Sequence, residues 1–110
     1  MRMTRHEIHA VKQVHSDLRA DFISALSISV LAEKHRISAV RLMKGFIKIF
    51  GISINYFHLK LRMDYAKIAL MRGTMVKEIA ITLGYSTTGS FTRAFKKIHQ
   101  LPPSYFLYGI

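Results

Sequence analysis

Apolar residues recur at helical spacing along almost the whole sequence. Ile8, Val11, His15, Leu18 and Phe22 stand three or four residues apart with charged residues between them, which predicts an amphipathic helix over residues 5–22. The turn around Leu26 and Ser27 ends it. Ser29 is placed to cap a short helix through about His35, and Ser38 to cap another over about residues 38–50 that buries Leu42, Phe46 and Ile49. Gly51 stops that helix. From Ser53 to Arg72 there is no glycine or proline, and Tyr56/Phe57, Leu61, Tyr65, Ile68/Ala69 and Arg72 keep a helical period. This run predicts a helix of roughly 20 residues, about 30 Å long. Gly73 breaks it, Thr74 is placed to cap the next helix, and Val76, Ile79, Ala80 and Leu83 form that helix's apolar stripe up to Gly84. A further helix from about Thr88 to His99 turns Phe91, Phe95 and Ile98 inward, and Pro102-Pro103 opens a short final turn. No strand of convincing length is present, so the expected fold is all-α with about seven helices.

The same residue types return at a fixed interval. A shift of 49 residues lays Leu42 on Phe91, Phe46 on Phe95, Lys48 on Lys97, Ile49 on Ile98, Tyr56 on Tyr105 and Phe57 on Phe106. Upstream the shift is 48: Leu31-Ala32 meets Ile79-Ala80 and Ser38 meets Ser86, so the second copy holds one extra residue in its turn. Each copy is a short helix opening on an aliphatic-alanine pair, a tight turn, a longer helix, and an aromatic pair that begins the next element. Two such copies joined by a long linker helix make a duplicated helix-turn-helix. The expected boundaries are 5–51 for the first helix-turn-helix subdomain, 53–72 for the linker helix and 74–108 for the second.

Charge says which partner such a chain meets. The formal net charge is +11, and it is uneven: residues 1–40 hold six Lys/Arg against four acids, residues 41–110 eleven against Asp64 and Glu78. A basic excess in the apolar-rich part points to a polyanion, with nucleic acid first and a membrane surface as the rival. There is no cysteine, which removes disulfide scaffolds, thiolate zinc sites and cysteine nucleophiles. No apolar run approaches the roughly 18 residues that a bilayer span needs, and the basic opening Met1-Arg2-Met3-Thr4-Arg5 leads into a polar helical stretch, not a signal peptide. A cytoplasmic protein without cofactor or metal is expected.

A helix-turn-helix presents the outer stripe of its second helix to the major groove, first turn nearest the base edges. With Leu42, Phe46 and Ile49 inward, about 100° per residue leaves Val40, Lys44 and Ile47 outward and Met43 on the shoulder. The repeat gives the matching set Gly89, Arg93, Lys96 and Thr92, so Lys44 and Arg93 are equivalent. Val40, Met43, Lys44, Thr88, Gly89, Thr92 and Arg93 are the candidate base-contacting positions. Ser38, Lys48, Ser86, Lys96 and Lys97 are the candidate phosphate contacts. Arginine can grip guanine through two hydrogen bonds, whereas lysine is less selective. Two reading helices on one face of B-DNA must stand about 34 Å apart, and a linker of about 30 Å is commensurate with that.

The stretch Glu78-Ile79-Ala80, Leu83-Gly84-Tyr85-Ser86, Phe91-Thr92-Arg93-Ala94-Phe95-Lys96-Lys97 and Pro103 resembles the signature of the AraC/XylS family of bacterial regulators, including its small stand-alone, MarA-type members. Leu61-Arg62-Met63 with Ala66-Lys67 resembles the family's linker helix, and Leu31-Ala32, Ser38, Leu42, Phe46 and Gly51 its first unit. The likeness runs from about Ile8 to Leu107. It implies sequence-specific binding of double-stranded DNA for transcription regulation, contact with RNA polymerase by analogy through residues 5–35, and an effector-binding or dimerisation domain that most members carry elsewhere. With Ile110 so close behind the last motif, a fragment of a longer regulator is favoured over a stand-alone chain. Arg36 stands where the family has glycine, which predicts a positive φ on a residue with a side chain. Gly89 offers no side chain at an outward position, Phe57 and Phe106 replace a usual tyrosine, and Leu107 replaces an arginine.

Other chemistry finds less support. Phe46, Phe50, Phe91 and Phe95 are read as core aromatics that hold the reading helices, not as base-stacking groups. Lys60, Arg62, Lys67 and Lys77 belong to the basic patch, each equally readable as a solvated side chain. His6 and His9 lie a turn apart, but no third ligand joins them. His15-Ser16-Asp17 has triad residue types without triad geometry. The alternatives are a nonspecific RNA-binding module and a peripheral membrane or interaction domain. The first lacks aromatic-bearing strands or a GXXG clamp, the second a wide apolar face on one exposed helix.

Overall fold

Thr4 opens the first helix with a reciprocal cap: its hydroxyl accepts from Glu7 N–H at 3.1 Å while Glu7 Oε1 accepts from Thr4 N–H at 2.9 Å. Helix α1 (Arg5–Ala20) follows, then α2 (Ile28–Lys34), α3 (Ala39–Phe50), α4 (Ile54–Met71), α5 (Val76–Thr82), α6 (Thr88–His99) and a 3-10 turn (Pro103–Phe106). The computed structural model describes residues 1–107, and the described residues contain no strand. Tyr108, the expected end of the second subdomain, and Ile110 lie outside them. The chain divides into two compact units, with the division inside α4 between His58 and Leu59.

In the first unit, α1 lays Ala10, Val11, Val14 and Leu18 against Leu42 and Phe46 of α3, with Ala32 and Ile54 completing the core. The buried stripe of α1 is thus turned from the expected one: Val14 and Ala10 go inside and Ile8 is exposed. His15 serves as a core aromatic, stacked on Phe50 at 4.1 Å and Phe57 at 4.4 Å between ring centres. Burial, then the nearby Arg19 charge, lowers its pKa, which disfavours the charged ring. Helix α1 ends two residues before the expected Phe22. Asp21 takes an extended backbone and its carboxylate accepts from Ser24 N–H and Oγ–H, at 3.3 and 2.9 Å, which offers the chain a turn instead of another helical step. The cap of α2 is Ser27, whose Oγ accepts from Val30 N–H, not Ser29. Asp17 ties α1 to α2 through His35 at 2.6 Å and Lys34 at 3.1 Å.

In the second unit, Met63, Ala66 and Leu70 of α4 meet Ile79, Ala80 and Leu83 around Phe91 and Phe95. Besides Met63, the buried positions of α4 run Ile54, His58, Arg62, Ala66, Leu70 in steps of four, where the expected stripe ran through Tyr65 and Ile68, both exposed. Polar residues on the inner stripe explain the difference. His58 meets the Ser24 carbonyl at 3.1 Å, and Arg62 donates to the Leu83 carbonyl and lies over the Tyr85 ring at 5.6 Å. Met75, not Thr74, stands at the N-cap of α5, with no side-chain cap, and Thr74 N–H closes the preceding turn on Ala69 O.

Candidate nucleic-acid interface

The two helix-turn-helix copies match helix for helix in length. Helices α2 and α5 are offset by 48 and α3 and α6 by 49, so the additional residue lies in the second turn. Both turns close alike: Ile37 N–H donates to Ala32 O at 3.0 Å, and Tyr85 N–H to Ala80 O at 2.9 Å. Arg36 (φ 55°) and Gly84 (φ 80°) occupy the same left-handed position, as do Gly51 (φ 77°) and Gln100 (φ 60°) after the second helices.

Ser38 caps α3, its Oγ accepting from Arg41 N–H at 3.1 Å. Thr87, not Ser86, is its counterpart and accepts from Ser90 N–H at 3.0 Å. Applying the helix offset of 49 to Ser38 would have found Thr87 in the sequence. Ser86 sits exposed in the turn as the extra residue.

On α3, Val40, Met43, Lys44 and Ile47 are all exposed, the apolar ones at 54%, 38% and 51%, an uncommon surface for three apolar residues on one helix. On α6, Thr88, Gly89, Arg93, Lys96 and Lys97 are exposed and Thr92 is half-buried. Arg93 Nη2 lies 3.3 Å from Ser90 Oγ, which in turn accepts from the Thr87 hydroxyl at 2.9 Å. In the first unit, the position of Ser90 is held by Arg41. Its guanidinium grips the Glu7 carboxylate twice, at 2.6 and 2.7 Å, and donates to Arg2 O. That grip, with Thr4 N–H, holds the Glu7 carboxyl down at about 2 and raises the Arg41 pKa. Lys48 is exposed, and its ammonium donates to the Met1 carbonyl. Arg62 is withdrawn from the surface patch, at 8% exposed. Among the described residues no group of three His, Asp or Glu side chains has metal-holding geometry, and no helix is long and apolar enough to cross a membrane.

Two helix-turn-helix units, each exposing a basic side chain at the same outward position of its second helix (Lys44 and Arg93), define a DNA-binding domain. Residues 31–108 match the family model described as a helix-turn-helix domain. The chain is 35% identical over 97 residues to a helix-turn-helix-type transcriptional regulator of Staphylococcus aureus, and 30% identical over 97 residues to the Msm operon regulatory protein of Streptococcus mutans. Those matches cover 86% and 87% of this chain but only 13% and 35% of the relatives. Its fold is similar to the C-terminal domain of AraT, a response regulator from Geobacillus stearothermophilus (TM-score 0.81, 27% identity, 97% of this chain and 87% of that one). It is also similar to a probable AraC family transcriptional regulator from Rhodopseudomonas palustris (TM-score 0.78, 27% identity, 90% and 94% covered). The chain belongs to the AraC/XylS family of helix-turn-helix transcription regulators. That family is one of DNA-binding regulators, not a class of enzymes.

Proposed function

We propose that this chain reads duplex DNA by sequence, with α3 and α6 entering adjacent major-groove segments. The observation that supports this most is the equivalence of Lys44 and Arg93, exposed at the same outward position of two matching helices. Arg93 is the guanine reader, aimed at the first turn of α6; Thr88, Thr92 and the open backbone at Gly89 border it. Val40 and Met43 offer apolar contact to thymine methyl groups beside Lys44. Ser38, Lys48, Ser86, Lys96 and Lys97 are the proposed phosphate contacts, for Lys48 alongside its bond to Met1 O.

The proposed organisation is a first subdomain over 5–51, a linker helix over 53–72 and a second subdomain over 74–108. RNA polymerase and an effector-binding or dimerisation domain elsewhere in the whole protein are the proposed further partners, and the nucleoid in the cytoplasm the proposed place of action. The experiment is selection from a randomised duplex library with the purified chain. Two short motifs about one helical turn apart are expected, and Arg93→Ala should relax one of them at a cost of about 1–3 kcal/mol. Equal binding to every sequence, abolished by salt, would reduce the chain to a nonspecific polyanion binder.

A further inference from the structure

The segment before α1 does not trail into solvent. Arg41 donates to the Arg2 carbonyl and Lys48 to the Met1 carbonyl. Met3 packs so closely on α3 that a Cβ added to Gly45 would stand 2.5 Å from Met3 Cε. Arg41, Gly45 and Lys48 form one stripe on α3, about 40–100° round the helix from Lys44. The arm therefore runs along the flank of the proposed reading stripe. A helix with side chains is about 10–12 Å across and the major groove about 12 Å wide, so a helix in the groove has a phosphate backbone along each flank.

The side chains left on that flank are of one sign. Arg2, Lys12 and Lys48 line a shallow cleft with Met3, Ile8 and Ile49, and among the described residues no carboxylate lines it. The nearby Glu7 carboxylate is already held by Arg41. Arg2 and Lys12 are exposed, and Arg2 is positioned through its backbone, which leaves its guanidinium available.

We infer that the arm and the start of α1 form an accessory phosphate-binding edge, in which Arg2 and Lys12 take backbone phosphates of the duplex beside the segment read by α3. This rests on the DNA-reading role of α3 proposed above. Arg41 and Lys48 act as positioning residues that hold the arm in place. Such contacts fix register and orientation without selecting sequence.

The test measures duplex affinity across a salt series for the native chain, the double variant Arg2→Gln/Lys12→Gln, and Arg19→Gln with Arg72→Gln as an equal-charge control at exposed sites that do not line the cleft. The duplex is the selected site, or a mixed-sequence duplex if selection yields none. Both double variants should melt as the native chain does, since the changed side chains are exposed. The Arg2/Lys12 variant should lose roughly 1.8 from the slope of log affinity against log salt, about 0.9 per phosphate contact, and weaken equally for matched and scrambled duplexes. The control should keep the native slope. A slope for the Arg2/Lys12 variant equal to that of the control overturns the inference even where the native chain selects a site. A lowered slope without any selected site upholds the phosphate edge and overturns sequence reading instead. No duplex binding by the native chain overturns both.

Discussion

Arg93 reaches back over an opening left by Gly89: its Nη1 lies 3.7 Å from where a Cβ on Gly89 would stand, while Nη2 lies 3.3 Å from Ser90 Oγ. A long side chain held in this way loses less rotamer freedom on binding than one that waves in solvent. The first unit has no such arrangement, since Arg41 stands where Ser90 would be and is tied to Glu7. Arg93→Lys should therefore keep much of the affinity but lose preference at one base pair, because the two-pronged donor is gone. Ser90→Ala should leave the motif unchanged and slightly weaken it, by less than about 1 kcal/mol. Competition between matched and single-mismatch duplexes measures both; an unchanged mismatch ratio in Arg93→Lys would show that Arg93 contacts phosphate instead.

Gly89 separates stability from recognition. It lies in the first turn of α6 with an ordinary φ, and an added Cβ would meet only ordinary contacts at 3.7 and 3.9 Å. Gly89→Ala should raise stability by roughly 0.5–1 kcal/mol through helix propensity. It should also reduce affinity for the selected duplex, because a methyl group now stands between the backbone and the base edges and beside the Arg93 fork. Chemical denaturation and duplex titration of the same preparation settle the pair, and tighter DNA binding by the alanine variant would contradict this view of the opening.

The helices, the repeat and the breaks at Gly51, Gly73 and Gly84 were legible in the sequence because each rests on local patterning. The outward positions of Lys44 and Arg93 were legible for the same reason: Leu42, Phe46, Phe91 and Phe95 fix the inner face unambiguously. Helix α4 was harder, since its inner stripe carries His58 and Arg62, which a polarity pattern assigns to the surface and only long-range carbonyl partners bring inside. The early end of α1 depended on a side-chain competition between Asp21 and Ser24 that leaves no trace in periodicity. The arm on α3 was hidden because its anchors are backbone carbonyls, and any residue carries one.

Each copy has a glycine at one left-handed position and a larger residue at the other: Arg36 and Gly51 in the first, Gly84 and Gln100 in the second. A side chain at positive φ costs about 1 kcal/mol relative to glycine there. Arg36→Gly and Gln100→Gly should each stabilise the chain by up to about 1 kcal/mol, and the two should add, because the sites lie in different units. Arg36→Gly keeps its backbone carbonyl, which His6 meets at 3.0 Å. Thermal melts of the singles and the double check this; a destabilised Arg36→Gly would mean that the Arg36 side chain contributes more than its backbone geometry costs.

Acid should loosen the first unit through Glu7. Its folded-state pKa, held at about 2 by Arg41 and then by Thr4 N–H, lies below the ordinary 4.5, so the unfolded chain takes up a proton first as pH falls. The stability that Glu7 contributes is thus complete above about pH 4.5 and lost as pH approaches 2. Glu7→Gln should melt at lower temperature than the native chain at neutral pH, and the two melting curves should draw together between pH 4.5 and 2. Parallel curves across that window would show that the Glu7–Arg41 pair is no stronger in the folded state than in the unfolded one.

Arg62 is the basic residue for which composition and structure give opposite expectations. As part of a basic patch it would neutralise a phosphate, and its loss would lower the salt slope by about 0.9. As the buried donor to the Leu83 carbonyl, lying over Tyr85, it joins α4 to the end of α5. Its removal leaves a carbonyl without that donor, which costs about 1–3 kcal/mol when the group is buried. Arg62→Gln should therefore lower the melting temperature while leaving the salt slope of the remaining folded protein unchanged. Lys96→Gln, whose side chain is exposed on α6, should do the reverse. If Arg62→Gln lowers the slope and leaves the melt alone, the guanidinium turns outward in solution and belongs to the DNA-facing patch.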